Sequence, residues 1–151
     1  MNLSKARIAT GSVFLATALA GGVAMAGPAA AASTGSLKNV STGYCLDGNG
    51  TSAYVIKCNG GSYQKWHLTK NSDGTYRIYN GSGKCLDSNT TPRIYMHSCN
   101  SGSFQKWKLS GGSSRYQIKN LATSFCVDSN ATPRLYMSKC NSGNYQRWAL
   151  R

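Results

Sequence analysis

The chain predicts an all-β fold assembled from three copies of one unit, and three observations support that prediction. The stretch from Cys85 to Trp107, reading Cys-Leu-Asp-Ser-Asn-Thr-Thr-Pro-Arg-Ile-Tyr-Met-His-Ser-Cys-Asn-Ser-Gly-Ser-Phe-Gln-Lys-Trp, returns as Cys45 to Trp66 and as Cys126 to Trp148. Its Gln and Trp marks recur at intervals of 41 and 41 residues, and a fixed period of this length is the signature of a repeat architecture. Outside the N-terminus no window sustains apolar spacing at three and four, whereas short β-branched and aromatic runs alternate with Gly, Asn and Ser turns.

Taken in order, the first element is a processing signal. Lys5 and Arg7 form a charged n-region, Ile8 to Ala26 is an apolar stretch of mostly small residues, and Ala24-Met25-Ala26 or Ala30-Ala31-Ala32 supplies a cleavage site. Cleavage after Ala32 is expected, which makes residues 1–32 a signal peptide and the product secreted and extracellular. A membrane anchor is the alternative. Apart from Val13 to Leu15, however, the stretch is mostly Ala, Gly and Thr, weakly apolar for a permanent span. No later segment is long and apolar enough to cross a bilayer. Residues 33–36 read as a polar leader and residues 37–151 as one domain.

The middle copy shows the unit best. Residues 76–79 read as a strand, Asn80-Gly81-Ser82-Gly83 as a turn and 84–87 as a second strand. A Ser-Asn-Thr-Thr-Pro loop leads to a third strand over 94–97, and Asn100-Ser101-Gly102 leads to a fourth over 105–109. That gives four short strands per copy and twelve in all.

Six cysteines in an exported chain of about 119 residues imply a disulfide framework, for which fifteen connectivities exist. The repeat selects among them. Pairing Cys45 with Cys58, Cys85 with Cys99 and Cys126 with Cys140 is the simplest scheme that treats all three copies alike. Each bridge closes a loop of about 14 residues and contributes on the order of 3 kcal/mol in the chain-entropy account. Metal binding by cysteine needs C-x-x-C or Cys/His clusters, which the sequence lacks, and no cofactor is implied.

Three four-stranded copies favour a barrel with threefold pseudosymmetry, because propellers have at least four blades. The triplets Gln64-Lys65-Trp66, Gln105-Lys106-Trp107 and Gln146-Arg147-Trp148, each preceded by Cys-Leu/Val-Asp and Cys-Asn, resemble the ricin-B-type β-trefoil lectins over the whole domain. That resemblance implies a β-trefoil fold and sugar binding, but a fold by itself hosts many functions. In galactose- and xylan-binding members an aromatic residue stands two before the second cysteine and an asparagine just before the Gln. Here those places hold Ile56, His97 and Ser138, and Tyr63, Phe104 and Tyr145. The usual galactose pocket is therefore not written in this chain.

The departures resemble instead the repeat of the actinohivin-like mannose-binding lectins of actinomycetes. The motifs are Leu86-Asp87-Ser88-Asn89, Ile94-Tyr95, Asn100 and Phe104-Gln105-Lys106-Trp107, with the last copy closer still. By that resemblance the carbohydrate-binding residues are Asp47, Tyr54, Asn59 and Tyr63, then Asp87, Tyr95, Asn100 and Phe104, then Asp128, Tyr136, Asn141 and Tyr145. The first copy departs from the pattern: it has Gly48, and Tyr54 follows Asp47 by seven residues where the others have eight.

The chemistry of these residue types fits a sugar. A carboxylate accepts two adjacent hydroxyls, an asparagine both donates and accepts, and aromatic rings supply an apolar wall for the C–H face of a pyranose. Structural roles compete at each position. The three tryptophans read as core, and Gln64, Gln105 and Gln146 as supports that orient the aspartates. The aspartates themselves are alternatively loop pins, and Tyr54, Tyr95 and Tyr136 cross-strand surface pairs.

Removing Lys5 and Arg7 from the 17 basic residues leaves 15 against four aspartates and no glutamate, about +11. A solvated basic surface explains that charge, and a polyanion such as an acidic cell-wall polymer or nucleic acid is the alternative partner. An enzyme is disfavoured. Three of the four aspartates are threefold equivalents, so no close carboxylate pair arises, and neither His67 nor His97 accompanies a nucleophile motif. The sequence thus predicts a monomeric secreted lectin for glycans or polysaccharides. A polyanion-binding module and a trefoil retained for protein contacts remain the alternatives.

Overall fold

The computed structural model describes residues 32–151. The signal peptide expected over 1–32 therefore lies, Ala32 apart, outside the described residues. Among the described residues there are thirteen strands: β1 (Ser33–Gly35), β2 (Leu37–Asn39), β3 (Cys45–Asn49), β4 (Ser52–Ile56), β5 (Trp66–Lys70), β6 (Tyr76–Asn80) and β7 (Lys84–Ser88). They continue as β8 (Ile94–Ser98), β9 (Trp107–Ser110), β10 (Gln117–Asn120), β11 (Phe125–Ser129), β12 (Leu135–Lys139) and β13 (Trp148–Leu150). Among the described residues no helix is long and apolar enough to cross a membrane.

Each copy contributes an inner hairpin and two strands to a common ring. The hairpins β3–β4, β7–β8 and β11–β12 share one register, with Asp47 opposite Tyr54, Asp87 opposite Tyr95 and Asp128 opposite Tyr136. The ring passes from β2 to β13, through the bridge Tyr116↔Trp148 to the start of β10, and on by β10–β9, β9–β6, β6–β5 and β5–β1. Around it, Trp66, Trp107 and Trp148 face Gly35, Tyr76 and Tyr116 at equivalent places.

Two expectations are corrected here. Residues 33–36 are not a leader outside the fold: β1 pairs Ser33 with Leu68, Thr34 with His67 and Gly35 with Trp66, and it is the thirteenth strand. Glycine is required at 35, since a Cβ there would lie 2.3 Å from the Arg151 carbonyl oxygen. Gln105 does not begin a strand. It closes a one-turn 3-10 segment, Ser103–Gln105, matched by Ser62–Gln64 and Asn144–Gln146, because its side chain is fully engaged in local hydrogen bonds described below.

The core repeats in threes as the sequence does. Trp66, Trp107 and Trp148 have no exposed surface, and their indole N–H groups donate to the carbonyls of Leu46, Leu86 and Val127 at 2.9, 3.0 and 3.0 Å. Around them pack Leu37, Ile78 and Ile118, and Val55, Met96 and Met137. Truncating one such tryptophan to alanine would cost about 3–5 kcal/mol, from lost transfer free energy and the cavity left behind. Gly48 belongs to this packing: a Cβ there would stand 2.7 Å from Met96 Sδ, so the missing side chain makes room for the methionine. The three intra-copy disulfides Cys45–Cys58, Cys85–Cys99 and Cys126–Cys140 tie each hairpin to the loop that follows it.

Candidate functional site

The inner hairpin of each copy sets an aspartate and a tyrosine side by side on one face, because strand residues directly opposite one another point the same way. The aspartates are nearly closed off, with 3% of Asp47 and 5% each of Asp87 and Asp128 exposed. One oxygen of each is satisfied: Gln64, Gln105 and Gln146 donate Nε2 to Oδ2 at 3.1, 2.7 and 2.8 Å. The other, Oδ1, has no partner in any copy. An unpaired carboxylate oxygen at that burial is destabilising by the desolvation it suffers, so a ligand donor that reaches it is bound with corresponding strength.

The glutamines are supports, as the sequence suggested. Besides the aspartate, each donates to a carbonyl of Lys57, Ser98 or Lys139 and accepts the N–H of Asn59, Asn100 or Asn141 at 2.8 to 2.9 Å. With three bonds each, and a fourth from Gln117 Nε2 to Gln146 Oε1 at 3.2 Å, they have little left for a ligand. The asparagines use Oδ1 to accept the N–H of Gly61, Gly102 or Gly143, all at 2.8 Å, which leaves the amide Nδ2 as the free donor. These turns need glycine's slenderness, since a Cβ at Gly102 would meet Asn100 Oδ1 at 2.9 Å.

The aromatic residues ride on the 3-10 segments. Tyr63 and Tyr145 are each 41% exposed, while Phe104 is half-buried. Burial raises the pKa of the Tyr95 and Tyr136 hydroxyls, and the negative Asp87 or Asp128 beside them raises it further. The Tyr54 hydroxyl is raised by burial first and by Asp47 second. Tyr95 and Tyr136 anchor to the carbonyls of Ser88 and Ser129 at 3.0 and 3.3 Å. In the first copy the equivalent carbonyl, that of Gly48, accepts instead from Asn80 Nδ2 at 2.9 Å. The shorter spacing between Asp47 and Tyr54 is absorbed at the hairpin tip, where Asn49 pairs with Ser52, so the Asp–Tyr pair itself keeps its register.

Three buried residues that matter to the site escaped the sequence reading. Asn39, Asn80 and Asn120 donate Nδ2 to the carbonyls of Tyr145, Tyr63 and Phe104, each at 2.7 Å, so every aromatic wall is held by the copy that follows it around the ring. The signal was present as an asparagine recurring just before the turn that opens the second strand of each copy.

Asp73, the aspartate outside the repeat pattern, accepts from Lys106 Nζ at 2.7 Å, and this partner together with Thr75 holds its carboxyl well below the usual range. Among the described residues no three His, Cys, Asp or Glu side chains gather as a metal site would.

Strands arranged in threes around three buried tryptophans, with the same Asp–Tyr pair on each hairpin, make a β-trefoil. Residues 33–148 match the Ricin-type beta-trefoil lectin domain, and the chain belongs to that family. No curated protein sequence matches it. Among solved structures it is similar to the designed threefold symmetric protein ThreeFoil, at TM-score 0.69 and 24% identity over 78% of this chain and 96% of that one. It is also similar to SeviL bound to asialo-GM1 saccharide, at 0.67 and 19% over 80% and 98%. A third is the Rhizoctonia solani agglutinin, at 0.65 and 24% over 80% and 94%. At these identities the likeness establishes the fold.

Proposed function

We propose that the protein is an exported, non-enzymatic lectin with up to three sugar pockets directed at mannose-type glycans. The observation that carries this reading is the Oδ1 of Asp47, Asp87 and Asp128, which no loop group satisfies and which lies on the hairpin face shared with Tyr54, Tyr95 and Tyr136. Loop pins would use both carboxylate oxygens, whereas sugar sites keep one for a ligand hydroxyl. The three disulfides support export, since such bridges persist in oxidising compartments. Support for mannose comes from the resemblance of the Asp-Ser-Asn, Ile/Leu-Tyr and aromatic-Gln motifs to the actinohivin-like repeat, and from Ile56, His97 and Ser138 where galactose binders stack a ring.

A single monosaccharide offers few apolar atoms and must shed well-solvated hydroxyls, so it is expected to bind at millimolar strength, about 4 kcal/mol. Branched glycans that reach two pockets gain from the high effective concentration of a rigid scaffold. A glycan array at physiological salt tests the proposal: retention of branched mannose glycans over galactose-terminated ones is expected, and retention of no glycan would refute the lectin reading.

A further inference from the structure

The molecule carries a second kind of surface that the sugar pockets do not use. Two cavities, of about 570 and 310 Å³, share Lys38, Thr42 and Gly43 and so form one groove. Arg115 and Arg151 line the larger part and Lys57 the smaller, and no aspartate lines either. All four cations are exposed. The lining of the groove departs from the threefold symmetry. Lys38 faces the small Ala149 across β2–β13, where the second copy stacks Tyr79 on His67 with ring centroids 4.9 Å apart and the third sets Lys119 against Lys108.

Charge compensation is missing as well. The one carboxylate–cation pair among the described residues is Asp73–Lys106, and the other three aspartates are buried in the pockets. Cations gathered in a concave site with no acidic side chain in its lining repel one another, and an anionic ligand relieves that repulsion while its attraction is focused by the low-dielectric walls.

We propose that this groove is a separate binding site for an acidic polysaccharide, whose carboxylate or sulfate groups pair with Lys38, Lys57, Arg115 and Arg151. Hydroxyls of Ser41, Thr42 and Ser114 along the groove match a hydroxylated chain. Its one aromatic residue, Tyr44, is packed against the core, so the groove offers no platform on which nucleic-acid bases would stack. The site does not depend on the sugar pockets, and it gives the protein two independent ways of holding a polysaccharide surface.

The test uses the full chain, a polygalacturonate oligomer as probe, and charge reversals placed inside and outside the groove. Lys38→Glu and Arg115→Glu are each expected to weaken binding at least tenfold. Lys108→Glu and Lys139→Glu, which change net charge equally on other strands, are expected to weaken it less than threefold, with all four variants melting like the parent. Affinity of the parent is expected to fall steeply between low and moderate salt. Equal losses inside and outside the groove would overturn the proposal in favour of diffuse charge. Tighter binding of a single-stranded DNA 20-mer than of the oligomer, or no binding of the oligomer at low salt, would overturn it too.

Discussion

Asn80 in the second copy donates its Nδ2 to the backbone carbonyl of Tyr63 in the first, at 2.7 Å, and so holds the wall of a pocket that belongs to its neighbour. Asn120 does the same for Phe104 and Asn39 for Tyr145. No copy is structurally self-contained, because the backbone of each of these aromatic residues is held by an asparagine of the next copy around the ring. Asn120→Ala is expected to destabilise the fold by about 1–3 kcal/mol, the cost of leaving a buried carbonyl without its donor. It is also expected to weaken the Phe104 pocket more than the other two. Urea denaturation together with ligand-perturbed NMR signals of the three pockets would show this, and a stability loss below about 0.5 kcal/mol would show that the bond matters little.

The disulfides form a second prediction. Three bridges, each closing a loop of 13 or 14 residues, constrain the unfolded chain. At about 3 kcal/mol each, their sum is comparable to the whole stability of a small domain. Calorimetry in reductant should therefore show a melting transition lowered by tens of degrees or lost. A transition that barely moves would mean that the tryptophan-centred core suffices.

A third concerns Ser88 and Ser129, whose hydroxyls are fully buried without a partner. Gly48 holds the same place in the first copy, so nothing in the fold requires an oxygen there. Ser129→Ala is expected to leave stability unchanged or raise it by about 1 kcal/mol, as the desolvated hydroxyl is removed. A loss above about 1 kcal/mol in thermal denaturation would indicate a hydrogen bond formed in solution.

Much of this architecture was legible in the sequence because the copies could be laid on one another. A period of 41 residues fixed the disulfide pairing, the tryptophan core and the Gln-to-Asp support without any three-dimensional information. Residues whose role spans two copies were harder to read. Asn39, Asn80 and Asn120 look like ordinary turn residues locally, and their bond to the preceding copy appears only once the ring closes. The strand Ser33–Gly35 was missed for a related reason: Ser-Thr-Gly has no strand signature of its own and is held by pairing with β5. Gly48 looked like a defect of the first pocket, yet its contact is with Met96 in the core of the neighbouring copy.

Tyrosine ionisation tests the electrostatics of the pockets. The hydroxyls of Tyr54, Tyr95 and Tyr136 are raised above the ordinary pKa of 10.0, by burial first and by the adjacent aspartate after it. A raised acid favours the neutral form in the folded state. Its contribution to stability is therefore complete below pH 10 and is lost as the pH climbs through the folded pKa. Ultraviolet titration should show three of the nine tyrosines ionising late. In Asp87→Asn, Tyr95 alone should titrate earlier, while remaining above 10 because burial persists. An unchanged Tyr95 midpoint would mean that the aspartate charge does not reach it.

The last prediction ranks the pockets. All three keep the Asp–Tyr register, so the difference between them lies in how the tyrosine is held. Tyr95 and Tyr136 are fixed through their hydroxyls to Ser88 and Ser129, whereas the corresponding carbonyl of Gly48 is taken by Asn80 and Tyr54 is left without that anchor. A tyrosine with one fixed partner fewer contributes less on binding, because more side-chain entropy is lost in holding it. Asp87→Ala and Asp128→Ala should therefore each weaken binding of a branched mannose glycan far more than Asp47→Ala. Because two good pockets act together, each of those losses could approach the two orders of magnitude that avidity supplies. Titration calorimetry on the three variants reads this directly. Companion Asp→Asn variants, which keep an acceptor for the supporting glutamine, would separate a lost ligand contact from a disturbed hairpin. If Asp47→Ala is the most damaging, the pockets stand but the tyrosine anchor does not rank them. If all three variants bind like the parent, the aspartates are loop pins and sugar binding resides elsewhere.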